Sequence, residues 1–199
     1  LPDLSAVTPE GGVRAAALAR WQEQGWPGHR AEAWRYTRLD RLADLDLAPV
    51  TGLAGTASGP ADDAARGIGA HVLRFVNGVF DPAGLSDLPE GMTIVDLGSD
   101  EAALSRLADL APAGHPVSDL SLAVMSGGIL IDITGAVDAP LMVIFEGDDS
   151  KASAHPAMLV RLAEGASLQL AEWHQSSVGL AAPLIGYDIR AGARLEQVK

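Results

Sequence analysis

Three short strands in the second half of the chain each run into the same dipeptide. Ile129, Ile131 and Ile133 alternate with Leu130 and Asp132, and the strand leads to Gly135-Ala136. Met158, Val160 and Leu162 alternate around Arg161 before Gly165-Ala166, and Ile185, Tyr187 and Ile189 precede Gly192-Ala193. Alternation with period two marks strands, and a strand–turn unit recurring about every 30 residues suggests the stacked coils of a β-solenoid. A β-sandwich meander competes, because antiparallel strands also alternate and turn on glycine.

The first half follows other rules. Thr8-Pro9 predicts a helix start, and Val13, Ala17, Leu18 and Trp21 carry the helical spacing as far as Gly25. Leu39, Leu42 and Ala43 predict a short amphipathic helix. Residues 1–50 form an N-terminal helical region, and 51–70, rich in Gly, Ala, Ser and Asp, read as a flexible linker. From 71 to 199 the strand pattern holds and stops mid-repeat at Lys199, so the expectation is the start of a longer, truncated domain. Within it, His71 to Phe80 is a strand with the tight-turn dipeptide Asn77-Gly78. Met92 to Leu97 is another strand. Asp100 to Leu110 is a helix with an acidic start and Leu104 and Leu107 on one face.

Composition narrows the function. A net charge of −12 repels phosphate backbones and anionic lipid, which argues against nucleic acid or a membrane surface as partner. Without cysteine the chain builds no disulfide and no thiolate metal site of its own. No apolar run reaches spanning length and no signal peptide opens the sequence, so the expected compartment is the cytoplasm. Ser126-Gly127-Gly128 has neither the spacing nor the lysine of a phosphate loop.

Two clusters carry side chains capable of more than packing. Glu172 and His174 share a strand face and could act as an acid–base pair or as metal ligands. With His155 they would make a small metal-dependent, cupin-like enzyme, although the paired histidines of such sites are missing. A hydrogen-bonded pair near a strand end is the simpler reading, so no catalytic, metal or cofactor-binding residue is expected. The second cluster is Trp26, Arg30, Glu32, Trp34, Arg35 and Tyr36, a basic–aromatic patch in an acidic chain. Such residues dominate interface hot spots, and they equally glue helices to a domain.

The same patch resembles a known signature. Gly25-x-Pro27-x-x-Arg30-x-Glu32-x-Trp34-Arg35-Tyr36-Thr37-x-Leu39 is similar to the N-terminal block of SufD-type subunits, in the SufB/SufD family of the SUF iron–sulfur cluster assembly system. Phe75-Val76-Asn77-Gly78-Val79-Phe80-Asp81-Pro82, His155-Pro156, Glu164-Gly165-Ala166 and Gly192-Ala193-Arg194-Leu195-Glu196 match the family in order. The chain departs from it at Leu120-Ser121-Leu122-Ala123 and at Ala157.

The resemblance implies a mainly β fold, a right-handed parallel β-helix with a small N-terminal α-helical region. It implies a non-catalytic scaffold that pairs, in the full-length protein, with SufB-like and SufC-like subunits. Fe–S cluster and ATP would belong to the assembled complex and neither to this segment. An open last coil would further imply self-association.

Overall fold

The computed structural model describes residues 9, 11–28, 31–37, 39–45, 47–50, 52, 59–112, 114–148 and 151–199. Five strands form the first sheet in the order β12-β9-β6-β2-β3: β2 (His71–Val76), β3 (Val79–Asp81), β6 (Leu141–Gly147), β9 (Ser167–Ser176) and β12 (Arg194–Val198). Four form the second, in the order β11-β8-β5-β4: β4 (Met92–Asp96), β5 (Gly127–Ile133), β8 (Pro156–Leu162) and β11 (Leu184–Ile189). A third, small sheet joins β1 (Ala48–Pro49), β7 (Ala152–Ala154) and β10 (Leu180–Ala181).

The main core lies between the two large sheets. Ile129, Ile131 and Ile133 of β5 and Met158, Val160 and Leu162 of β8 meet Leu141, Val143 and Phe145 of β6 and Leu168 and Leu170 of β9. The alternate residues of β5 and β8, Leu130, Ala157 and Leu159, face the opposite way. They pack under three helices: α1 (Gly12–Gln24), α3 (Glu101–Leu110) and α4 (Pro116–Ala123). On the far side, Ala61 and Ala65 of α2 (Pro60–Gly67) cover Met142 and Ile144. Burial on both faces explains why β5, β6 and β8 read as nearly continuous apolar runs.

The expected mainly β, right-handed parallel β-helix is therefore corrected. The fold is mixed α/β, with about 37% strand and 30% helix among the described residues, and both large sheets carry an antiparallel edge strand. Neighbouring repeats do pair in parallel, Ile129 with Met158 and Met158 with Ile185. The Asn77-Gly78 turn, however, folds β3 back against β2, with both turn residues at positive φ (50° and 86°). β4 runs antiparallel to β5. Glycine turns and alternation are common to both pairings, so the repeat alone did not select one.

Other elements shift as well. The first helix begins at Gly12, and Thr8 lies outside the described residues. Part of the 51–70 stretch read as linker is α2, with Pro60 in its first turn and Asp62 accepting from the Gly59 N–H at 3.0 Å. The predicted helix after Asp100 is present, and the Asp100 carboxylate accepts from the Ala103 N–H at 3.0 Å.

Polar contacts tie the layers together. Glu101 of α3 accepts from the Val13 N–H at 2.7 Å and so caps α1, which has no side-chain cap of its own. Arg14 of α1 donates to the Ala123 and Met125 carbonyls at 3.1 and 3.3 Å, closing the end of α4. Arg74 on β2 bonds Asp62 of α2 and Glu146 of β6. On the helix side, Asp132, Arg161 and Asp188 lie in one register row. Arg161 grips Asp132 at 2.9 and 2.7 Å, and Arg106 of α3 grips Asp188 at 3.0 and 3.1 Å.

The hairpin and a strand turn offer a contrast. A Cβ on Gly78 would lie 3.1 Å from the Ala154 Cα at a positive φ, whereas one on Gly165 (φ 72°) meets nothing within 4 Å. Gly78→Ala is expected to cost about 1–3 kcal/mol. Gly165→Asn should cost only a few tenths, because Asn tolerates the left-handed region (under about 0.5 kcal/mol). Urea melts of the two variants check this.

Candidate functional site

Register carries five polar side chains to one point. On β9, Leu168, Leu170, Glu172 and His174 alternate onto one face, the first three buried and His174 exposed at its end. β12 pairs in parallel with β9, Gln197 against Leu170, and so brings Gln197 and Lys199 beside Glu172. Tyr187 enters from β11 of the facing sheet. The Glu172 side chain is fully buried.

Each carboxylate oxygen of Glu172 is satisfied twice. Oε1 accepts from the Tyr187 hydroxyl at 2.5 Å and from the Gln197 amide. Oε2 accepts from His174 Nε2–H at 3.0 Å and from the Lys199 ammonium at 3.1 Å. Burial pushes the Glu172 carboxyl up, but the bonds from Tyr187, His174 and Lys199 outweigh it and hold the group below its usual range. Burial, then the adjacent carboxylate, pushes the Tyr187 phenol well up. Glu172 is thus a fixed anion with a neutral phenol on it. The His174 ring stacks on Phe145 at 4.6 Å, and Phe145 on Phe75 at 5.1 Å, one aromatic row across β9, β6 and β2.

His155 stands elsewhere. It is 1% exposed, with Ser153 of β7 and Ser121 of α4 on its two ring nitrogens at 2.6 and 3.2 Å. Ser121 donates to the Ala182 carbonyl at 2.9 Å, so its oxygen accepts from His155 Nδ1–H. Nε2 then accepts from the Ser153 hydroxyl. A serine on an imidazole nitrogen resembles a nucleophile and its base, but here Ser153 is only 3% exposed. Burial pushes the His155 imidazole down to about 4. His155, between β7 and β8, bonds two serines, whereas Glu172 and His174 bond each other on β9. Among the described residues no group of three or more His, Cys, Asp or Glu could hold a metal ion.

The basic–aromatic patch divides. Trp26 meets Trp21 edge-on at 5.9 Å in the helical core, and Trp34 packs on the His115 ring at 4.9 Å. Both Trp21 and Trp26 bury an indole N–H without a hydrogen-bond partner. Tyr36 is 85% exposed, with the Arg35 guanidinium 4.7 Å from its ring centre and Glu32 3.3 Å from Arg35. Arg30 and His29 lie outside the described residues. Sequence reasoning missed Tyr187, Gln197 and Lys199. The signal was available, because Glu172 and Lys199 have the same separation as Gly165 and Gly192.

No protein-family model matches the chain, and no curated protein matches it. The likeness to the SufB/SufD family rests on the residues quoted above. No helix among the described residues is long and apolar enough to cross a membrane.

Two outcomes follow from these environments. Tyr187→Phe removes a hydrogen bond to a buried anion and should cost roughly 1.5–3 kcal/mol. Lys199→Ala, at a half-exposed ammonium, should cost under about 1 kcal/mol. Denaturant melts order the two. The pH profile tests His155. The unfolded imidazole takes a proton below about pH 6.5 that the folded one refuses down to about pH 4, so stability falls across that window, by up to about 3 kcal/mol. Glu172 acts lower, its stabilisation present above the ordinary carboxyl range and lost as pH falls through its depressed value. His155→Gln should flatten the profile between pH 6.5 and 4.5 and leave the acid limb in place, as read by thermal melts across pH.

Proposed function

We propose that this chain is part of a non-catalytic, cytoplasmic scaffold subunit of a SUF-type iron–sulfur cluster assembly complex. The observation that carries the reading is the block from Gly25 to Leu39. Its residue types and spacing resemble the SufD-type signature, and its side chains separate into a packing half and a free half. Trp26 and Trp34 are held against α1 and His115, while Glu32, Arg35 and Tyr36 face solvent as an exposed aromatic–cation unit. Tyr and Arg exposed together suit a protein contact.

The partners in the full-length protein are a SufB-like subunit and a SufC-like ATPase. Fe–S cluster and ATP belong to the assembled complex, and this segment holds neither. The environments of Glu172 and His155 favour a structural role over catalysis, because the first is saturated with donors and the second is sealed. The outer edges of β11 and β12 are open to a further strand of the same chain as well as to another protein. Among the described residues no strand pairs there, and Ile189 and Val198 are exposed. A strand from a partner or from another copy can add to such an edge.

Co-expression tests the reading. The full-length protein should co-purify with a SufC-like ATPase and a SufB-like subunit. The Arg35→Ala, Tyr36→Ala double variant should weaken that association by roughly tenfold or more with an unchanged melting temperature. Failure of the unsubstituted protein to retain either subunit sinks the proposal.

A further inference from the structure

The sequence holds a single asparagine, Asn77, and it stands before a glycine. The hairpin explains the pair. Its two turn residues lie at φ 50° and 86°, and Asn-Gly adopts such a turn most readily. The same dipeptide is among the most labile a chain can carry, because no side chain on Gly78 hinders its nitrogen. That nitrogen attacks Asn77 Cγ, and the N–Cγ bond forms as the Cγ–Nδ2 bond breaks. Nδ2 leaves as ammonia, taking the amide proton of Gly78. Water then opens the resulting succinimide to aspartate, or to isoaspartate, in which the main chain runs through the former side chain. Water is the one co-reactant.

The closed fold holds both reacting groups in place. Asn77 is buried, and residue 148 clasps its amide at both ends. Oδ1 accepts from the Asp148 N–H at 3.0 Å, and Nδ2 donates to the Asp148 carboxylate at 3.3 Å. Ring closure needs Cγ to swing onto the Gly78 nitrogen, which breaks both bonds. The backbone resists as well. The Asn77 N–H donates to the Glu146 carbonyl at 2.8 Å, and the Gly78 carbonyl accepts from the Ser126 hydroxyl at 2.8 Å. The turn is thus pinned by the end of β6, by Asp148 just beyond it and by Ser126 ahead of β5.

We propose that Asn77 is a latent modification site, shielded from succinimide formation by the Asp148 clasp and released by local opening of the β2–β3 turn. Asp148 is exposed, so the clasp can part while the core stays folded. The conversion runs one way. Aspartate at position 77 sets a carboxylate against the Asp148 carboxylate where an N–H donor stood, and like charges repel. Isoaspartate lengthens the main chain inside the turn and disturbs the pairing of Phe75 with Phe80. Phe80 meets Phe75 edge-on at 5.5 Å against the main core, so either product hinders the return of β3 to its place. The site is independent of the assembly role.

Peptide mapping by mass spectrometry, with enzymatic methylation to count isoaspartate, follows the reaction in the intact chain at neutral pH and physiological temperature. The same chain in guanidinium chloride gives the unshielded rate. The reaction draws on the open form, so the folded chain should react roughly a hundredfold or more slowly than the denatured one. Asp148→Ala removes one bond of the clasp and should speed the folded reaction by roughly fivefold to tenfold, leaving the denatured rate alone. Tyr187→Phe, which loosens a distant cluster, separates local from global opening and should leave the Asn77 rate unchanged. Asn77→Asp, which stands for one product, should melt at a lower temperature than the parent. Equal folded and denatured rates, a folded rate untouched by Asp148→Ala, equal acceleration by Tyr187→Phe, or an Asn77→Asp variant as stable as the parent would overturn the proposal.

Discussion

Parallel pairing of β5 with β8, and of β6 with β9, sets the position of nearly everything else. Each pair places like residues side by side, Ile131 on Val160 and Leu141 on Leu170, so that two apolar surfaces face each other across one core. Period two then sends the alternate residues outward, where they need cover of their own. Leu130 and Leu159 receive it from α1, α3 and α4, and Met142 and Ile144 from α2. A slip of one residue in either ladder would turn core side chains outward and charged ones inward. The Asp132–Arg161 pair reinforces the register, since it forms only when those two residues are directly opposed.

The same ladder builds the polar cluster. Glu172 occupies a position where the two strands before it, in β6 and β2, carry Val143 and Leu73. A carboxylate in that row is tolerable because β11 and β12 deliver a phenol, an amide and an ammonium to it. The cluster thus depends on pairing along the whole sheet and on the approach of the facing sheet. It fixes the arrangement of the two sheets, since both oxygens of Glu172 are engaged by donors from three strands and the chain beyond them.

Much of this was legible in the residues, and the failures have physical causes. Strands with one solvent face announce themselves by alternation, as Ser167–Ser176 does. The Asn77-Gly78 turn and the helix after Asp100 carry their own stereochemical signals. Helix α4 does not. Its sequence, Pro116–Ala123, is buried on most sides and shows no polar face, so it has no amphipathic period to detect. Helix α2 is short and alanine-rich, and its start signals, Pro60 and Asp62, sit in a stretch of Gly, Ala and Ser that masks them until its burial on Met142 and Ile144 is seen. The choice between parallel and antiparallel neighbours lies in long-range pairing. The pair Glu172–His174 was visible from spacing, while Tyr187, Gln197 and Lys199 joined it through register.

Trp21 and Trp26 meet edge-on with their indole N–H groups dry and unpaired. Of the chain's four tryptophans, these two belong to the helical layer's core, while Trp173 packs beside α2 on the opposite face of the molecule. Their light emission therefore reports on different layers. An indole without water or an acceptor emits at the blue end of its range and moves to the red when wetted. Loosening of the helices from the four-stranded sheet would show as that red shift alone, before any change around Trp173, so the molecule carries its own optical label for the order in which its layers come apart.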